Sequence, residues 1–216
     1  MLVKQQMTAN PYTIAETAPI TDVISLMYEK NIKRVPVTDS DGRLTGIITE
    51  SDINKVTPTK ATTLSVYEVN YLLSKAFVRD AMTEDVKVIS PDALIEEAAA
   101  LMRKNRVSTL VVTDDDNRIA GIITESNIFD ALISYLGCEE SGTRISMTTK
   151  DIPGVIAEIA GIFSSEGLNI SNIANTSAGG GMAEVIVRTK SLNTESIVKK
   201  LSERGFEINS VIIKDD

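Results

Sequence analysis

The sequence predicts an α/β (α+β) chain in two parts: a tandem strand–helix repeat, then a smaller domain with the element order βαββαβ. Three observations carry this. Val3–Ile53 aligns with Val78–Ile128 at a constant shift of 75 without a gap, and 20 of the 51 positions are identical. Both copies run through the same succession of helical and extended apolar patterns. The residues after Gly142 follow neither copy, and their apolar periods break at Gly167 and Gly205.

Each element of the repeat follows from local pattern. Ile20, Val23, Ile24 and Met27 share one helical face, as do Ile95, Ala98, Ala99 and Met102. An apolar strand comes next, Arg34–Thr38 or Thr109–Thr113. The polar turn Asp39–Gly42 or Asp114–Asn117 leads into a second strand, from Leu44 or Ile119 through Gly-Ile-Ile to a threonine. A further helix follows, clearest as Ile128–Leu136, with Gly137 as its stop. Between the copies, Ser65-Val66-Tyr67-Glu68 has capping-box spacing ahead of Val69, Leu72 and Leu73, which predicts a connector helix packed on the repeat core. The expected division is 1–60 for the first repeat, 61–77 for the connector, 78–137 for the second repeat, 138–142 for a linker and 143–216 for the last domain.

In that last domain Arg144–Thr148 reads as a short strand. Asp151-Ile152-Pro153-Gly154 opens a helix with Val155, Ile159, Ile162 and Phe163 on one face. Strands Ile170–Thr176 and Met182–Arg188 flank the hairpin connection Ser177–Gly181. Asn193 or Thr194 caps a helix bearing Ile197, Val198 and Leu201, and Glu207–Ile213 is the final strand. This order is the split arrangement of ferredoxin-like domains.

Composition excludes several classes. A net charge of −8 and a pI of about 4.8 argue against nucleic-acid or membrane-surface partners. No apolar run reaches bilayer-spanning length, and the N-terminus has no signal-peptide core. One cysteine, Cys138, forbids an internal disulfide framework and makes the cytoplasm the expected compartment. With no histidine, the commonest general base and transition-metal ligand are missing, so no metal, no required cofactor and no catalytic residue are expected. Asp114-Asp115-Asp116 reads as a solvated turn. Gly179-Gly180-Gly181 lacks the lysine of a phosphate loop, and Cys138 has no base beside it.

The segment Gly46-Ile47-Ile48-Thr49-Glu50-Ser51-Asp52 holds the most chemistry. Thr49 is placed to cap a helix and Asp52 to face back toward the cap. Free N–H groups and the positive helix end there suit an anion, with the hydroxyl beside a phosphate and the carboxylate on a ribose diol. A plain strand-to-helix cap without ligand accounts for the same residues.

The duplicate ending twice in Gly-Ile-Ile-Thr-Glu-Ser-Asp/Asn resembles a pair of CBS domains, a Bateman module. That resemblance implies a regulatory protein, not an enzyme, binding an adenosine-containing ligand such as AMP, ADP, ATP or S-adenosylmethionine. It carries phosphate and ribose contacts to Thr49 and Asp52, and to Thr124 and Asn127. Adenine contacts fall to Thr13, Ile14, Val35 and Pro36, with Val88, Ile89, Leu110 and Val111 as counterparts. Arg34 is a further phosphate candidate in the first copy, replaced by Thr109 in the second, and Asn127 lacks the charge of Asp52. The first site is therefore expected to be the better one.

The βαββαβ domain, with Asp151-Ile152-Pro153-Gly154-Val155 entering its first helix and Gly167-Leu168-Asn169-Ile170 entering its second strand, resembles an ACT domain. This implies amino-acid binding at Asp151, Ile152, Pro153, Gly154, Val155, Asn169 and Ile170. The order of domains resembles bacterial CBS–ACT proteins of the acetoin-utilisation type. It implies a homodimer that modulates a metabolic enzyme. The alternative is a constitutive oligomerisation or interaction module with no ligand sensing.

Overall fold

A computed structural model describes residues 1–57, 68, 73 and 75–215, and most of the connector helix expected after Ser65 lies outside them. The described chain divides into two compact units, Met1–Ala131 and Leu132–Asp216. In chain order the first unit contains β1 (Thr8–Ala9), β2 (Ile14–Ala15), α1 (Ile20–Lys30), β3 (Arg34–Thr38), β4 (Leu44–Thr49) and α2 (Glu50–Val56). The second copy supplies β5 (Val88–Ile89), α3 (Ile95–Asn105), β6 (Thr109–Thr113), β7 (Ile119–Thr124) and α4 (Glu125–Leu136), whose last turn belongs to the second unit.

The helices form where the apolar spacing predicts, and their inward residues are those of the pattern: Ile20, Val23 and Met27 in α1, Ala98 and Met102 in α3. Both helices end in a left-handed residue, Asn31 at φ 50° and its counterpart Arg106 at φ 55°. In each polar turn the leading aspartate closes the loop: Asp39 Oδ1 accepts from the backbone N–H groups of Asp41 and Arg43, Asp114 Oδ1 from Asp116 and Arg118. The acidic run is thus a turn device. No group of three or more Cys, Asp or Glu among the described residues is placed to hold a metal.

The repeats exchange their leading segments. β3 pairs with β2 in parallel and with β4 antiparallel, but β1 leaves its own copy and pairs with β7, Thr8 opposite Ile122. Val3 is fully buried among Ala98, Met102, Leu110, Val112 and Ile123 of the second copy. In return Val78 is buried among Val23, Met27, Val35, Val37 and Ile48 of the first, and Thr83 and Ile47 exchange two 2.9 Å backbone hydrogen bonds. The helix-entry regions mirror this: Val3 N donates to Ala93 O, and Val78 N to Ala18 O, each at 2.9 Å.

Two glycines make the exchange possible. A Cβ on Gly46 would stand 2.5 Å from the Met82 sulfur, and one on Gly121 would collide with the Met7 sulfur and approach Thr8 O to 3.0 Å. Gly121→Ala is accordingly expected to cost about 1–3 kcal/mol, as overpacking does in a close-packed interior. Urea unfolding measures this; wild-type stability in the variant would contradict it.

The second unit holds β8 (Gly142–Lys150), α5 (Val155–Ser165), β9 (Asn172–Gly179), β10 (Met182–Thr189), α6 (Glu195–Glu203) and β11 (Glu207–Lys214). Its antiparallel sheet has the order β11-β8-β10-β9. Val155, Ile159, Ile162 and Phe163 of α5 and Ile197 and Leu201 of α6 cover one face, packing on Ile145, Met147, Val185 and Val187. The other face is left to Arg144, Ser146, Ile186 and Arg188.

Three local expectations are corrected. β8 runs nine residues, well past Arg144–Thr148, because it pairs with β10 from Thr143 to Lys150. β9 starts at Asn172 and continues through Ser177 to Gly179, so the hairpin connection shrinks to Gly180-Gly181, with three successive glycines at φ 80°, 59° and 74°. The Thr194 side chain sits at the start of α6 but makes no capping hydrogen bond.

Candidate functional site

Thr49 ends β4 and begins α2, so its backbone is extended while the next residue is helical. The two side chains close a reciprocal box. Asp52 Oδ2 accepts from Thr49 N at 3.1 Å and from Thr49 Oγ1 at 2.6 Å, and Asp52 N donates to Thr49 Oγ1 at 3.3 Å. Lys55 Nζ donates to Asp52 Oδ1 at 2.8 Å. Asp52 is only 7% exposed. Burial raises its pKa, but the hydrogen bonds from Lys55 and Thr49 outweigh that and hold the carboxyl below its ordinary value. A buried carboxylate is thus kept ionised at a strand–helix junction.

The twin is built alike with a neutral amide. Asn127 Oδ1 accepts from Thr124 N at 2.9 Å and from Thr124 Oγ1 at 2.8 Å. Asn127 has the same acceptor geometry and none of the charge.

Arg34 joins the first box. It lies directly opposite Thr49 across β3 and β4. Its Nη2 donates to Ser108 Oγ of the second copy at 3.0 Å. This places a guanidinium where the two copies meet, on the residue paired with Thr49. Two of the helix-start N–H groups expected to face an anion are already taken: Glu50 N donates to Lys33 O and Asp52 N to Thr49 Oγ1.

The apolar candidates divide by burial. Val35, Leu110 and Val111 are fully buried, and Pro36 is buried too. The side chains of Val35 and Leu110 are committed to the two cores. Thr13 and Val88 are exposed, and Ile14 and Ile89 are half-buried. β2 and β5 place Ile14 opposite Val37 and Val88 opposite Val111. Sequence reasoning missed Lys55 and Ser108. Lys55 had a signal, its i,i+3 spacing from Asp52, whereas Ser108 meets Arg34 only through the packing of the two copies.

In the second unit, Gly154 at φ 93° occupies the position before α5, and Asp151 is not its cap; Asp151 N donates to Gly181 O. Asp151, Ile152, Pro153, Gly154 and Asn169 are exposed, Ile170 is half-buried and Val155 belongs to the core. No hydrogen bond among the described residues links Asp151–Val155 to Asn169 or Ile170.

Comparison with known proteins adds the following. The CBS domain model matches residues 3–58 and 78–134, and the ACT domain model residues 143–206. An uncharacterised protein of Methanocaldococcus jannaschii is 36% identical over 155 residues, 62% of this chain and 92% of that protein. A homoserine O-acetyltransferase of Methanosarcina acetivorans is 34% identical over 128 residues, 59% of this chain, but these are only 21% of that protein. Three solved structures are similar to part of the chain. A putative acetoin utilisation protein from Vibrio cholerae has 27% identity and a TM-score of 0.51, covering 62% of this chain and 91% of that one. The CBS-pair protein CBSX2 in complex with AMP has 26% identity and a TM-score of 0.51, covering 62% and 96%. The CBS domain pair of protein MJ0100 with 5′-methylthioadenosine and S-adenosyl-L-methionine has 27% identity and a TM-score of 0.51, covering 62% and 97%.

Proposed function

The chain belongs to the CBS-domain family and carries a C-terminal ACT domain, and on that premise we propose that it is a regulatory protein sensing an adenosine-containing nucleotide. The observation that carries this is the buried, ionised Asp52 locked to Thr49 with Arg34 alongside. A ribose diol donating to Asp52 in place of Lys55, and a phosphate facing Thr49 and Arg34, match the chemistry of an adenine nucleotide. Backbone groups near Ile14, Val35 and Pro36 receive the base. Thr124 and Asn127, with Ile89, Leu110 and Val111, form the weaker twin. The solved relatives holding AMP, 5′-methylthioadenosine and S-adenosylmethionine support this class of ligand.

The same proposal gives the chain no reaction of its own. It acts as a homodimer on a metabolic partner, acetoin utilisation being one candidate setting. The turn Asp151–Val155 with Asn169 and Ile170 is a second, amino-acid site. No helix among the described residues is long and apolar enough to cross a membrane. A ligand switches such a protein only by binding two conformations unequally.

Calorimetric titration of AMP, ADP, ATP and S-adenosylmethionine into ligand-free chain tests the reading. At least one is expected to bind, with one site clearly tighter than the other. Silence for all four with folded protein leaves the constitutive interaction module in its place.

A further inference from the structure

On the open face of the second unit's sheet, Arg188 of β10 lies directly opposite Arg144 of β8. Like charges facing each other across neighbouring strands are destabilising unless something negative lies between them. Neither arginine forms an ion pair among the described residues. Arg144 Nη1 reaches Ser210 Oγ at 3.4 Å, and Arg188 makes no side-chain hydrogen bond there. Both are nevertheless half-buried, and the end of α4 is tied to the neighbouring strand β9 by Asn172 Nδ2 donating to Tyr135 O at 2.8 Å.

Arginines beneath a helix C-terminus ordinarily serve its free carbonyls. Here three of those carbonyls, those of Ile133, Ser134 and Tyr135, are occupied. Cys138 N donates to Ile133 O and Gly137 N to Ser134 O, both at 3.2 Å, while Tyr135 O takes the Asn172 amide. Both arginines instead help to line a small, mostly apolar cavity of about 120 Å³, together with Leu136, Cys138, Ala174 and Ile186.

We propose that this cavity binds a small aliphatic carboxylate that carries no amino group. A guanidinium from either of the two facing arginines offers a donor fork that matches a carboxylate, and the anion relieves the repulsion between them. Leu136, Ala174 and Ile186 cover a short hydrocarbon tail. The absence of an amino group follows from the lining, which contains no aspartate or glutamate. The ammonium of an α-amino acid would meet two positive charges and no acceptor carboxylate. The site shares no residue with Thr49 and Asp52 or with the Asp151–Val155 turn.

The test uses the full-length chain with isovalerate, its amino counterpart valine, and inorganic phosphate, by calorimetry. Isovalerate is expected to bind, valine at least about tenfold more weakly. Arg188→Gln and Arg144→Gln are each expected to weaken isovalerate by about tenfold or more, the worth of one charged hydrogen bond. No heat from isovalerate, equal binding of valine, unchanged affinity in both arginine variants, or phosphate binding in its stead each overturns the proposal. A readout on the unaltered chain guards against misfolded variants. Cys138 is the only cysteine and lines the cavity, so saturating isovalerate is expected to slow its alkylation by iodoacetamide at least about threefold, and an unchanged rate overturns the proposal. An AMP titration of the same sample reports on the nucleotide reading separately.

Discussion

Val3→Asp is expected to destabilise the chain by about 3–5 kcal/mol and to loosen the second copy of the repeat before the first. Val3 is fully buried, and its neighbours are Ala98, Met102, Leu110, Val112 and Ile123. A carboxylate there has no cation in the cluster to receive it, and burying an unpaired charge is among the costliest single changes a core can suffer. The damage extends along the backbone, because Val3 N and Lys4 N donate to Ala93 O and Pro91 O, and Ile95 N donates to Met1 O. Denaturant unfolding gives the magnitude. Amide exchange gives the location: protection is expected to fall first at Leu110, Val112 and Ile123 and later at Val35, Val37 and Ile48. The opposite order would mean that the leading segment packs on its own copy.

Asp52→Ala is expected to weaken nucleotide binding by about 10–100-fold, and Asn127→Ala by less. Asp52 contributes a charge-assisted acceptor, worth about 1.5–3 kcal/mol, while Asn127 contributes a neutral one. Calorimetry on both variants measures the ranking, and a larger loss at Asn127 would reverse the assignment of the stronger site. Asp52→Asn adds a pH signature. The folded carboxyl titrates below its ordinary value of 3.8, so its ionised form stabilises the folded chain. That contribution is complete above 3.8 and disappears as the pH falls through the lowered folded value. The stability difference between wild type and Asp52→Asn is therefore expected at neutral pH and should shrink below 3.8. A difference that stays constant through acid would show that the box with Thr49 and Lys55 gains nothing from the charge.

The candidate site was legible in unequal parts. The Thr49–Asp52 and Thr124–Asn127 boxes are local: cap and partner stand three positions apart, and a strand running into a helix leaves few other geometries. Arg34 was legible as a cation near that box, and its place opposite Thr49 follows from the short hairpin between β3 and β4. Its bond to Ser108 was not legible, because it depends on how two similar copies face one another. Val35 and Leu110 are fully buried while Val88 is exposed, a distinction that apolar spacing does not make.

The two-residue strands β1, β2 and β5 escaped the sequence. By itself it determined the repeat, its helices α1 and α3 and its longer strands β3, β4, β6 and β7, and the βαββαβ order of the last domain. These depend on periodicities of a few residues, which are local properties of the chain. Only the tertiary structure decided that Val3 enters the second copy's core and Val78 the first's. The two copies offer near-identical slots, and the residues filling them are identical, so local pattern has no means of choosing between them. In the folded chain the exchange sets Met7 against Gly121 and Met82 against Gly46. The same holds for Arg144 and Arg188, 44 positions apart in the chain. Sheet register alone sets them side by side, because a shift of one residue would have turned one of them into the core.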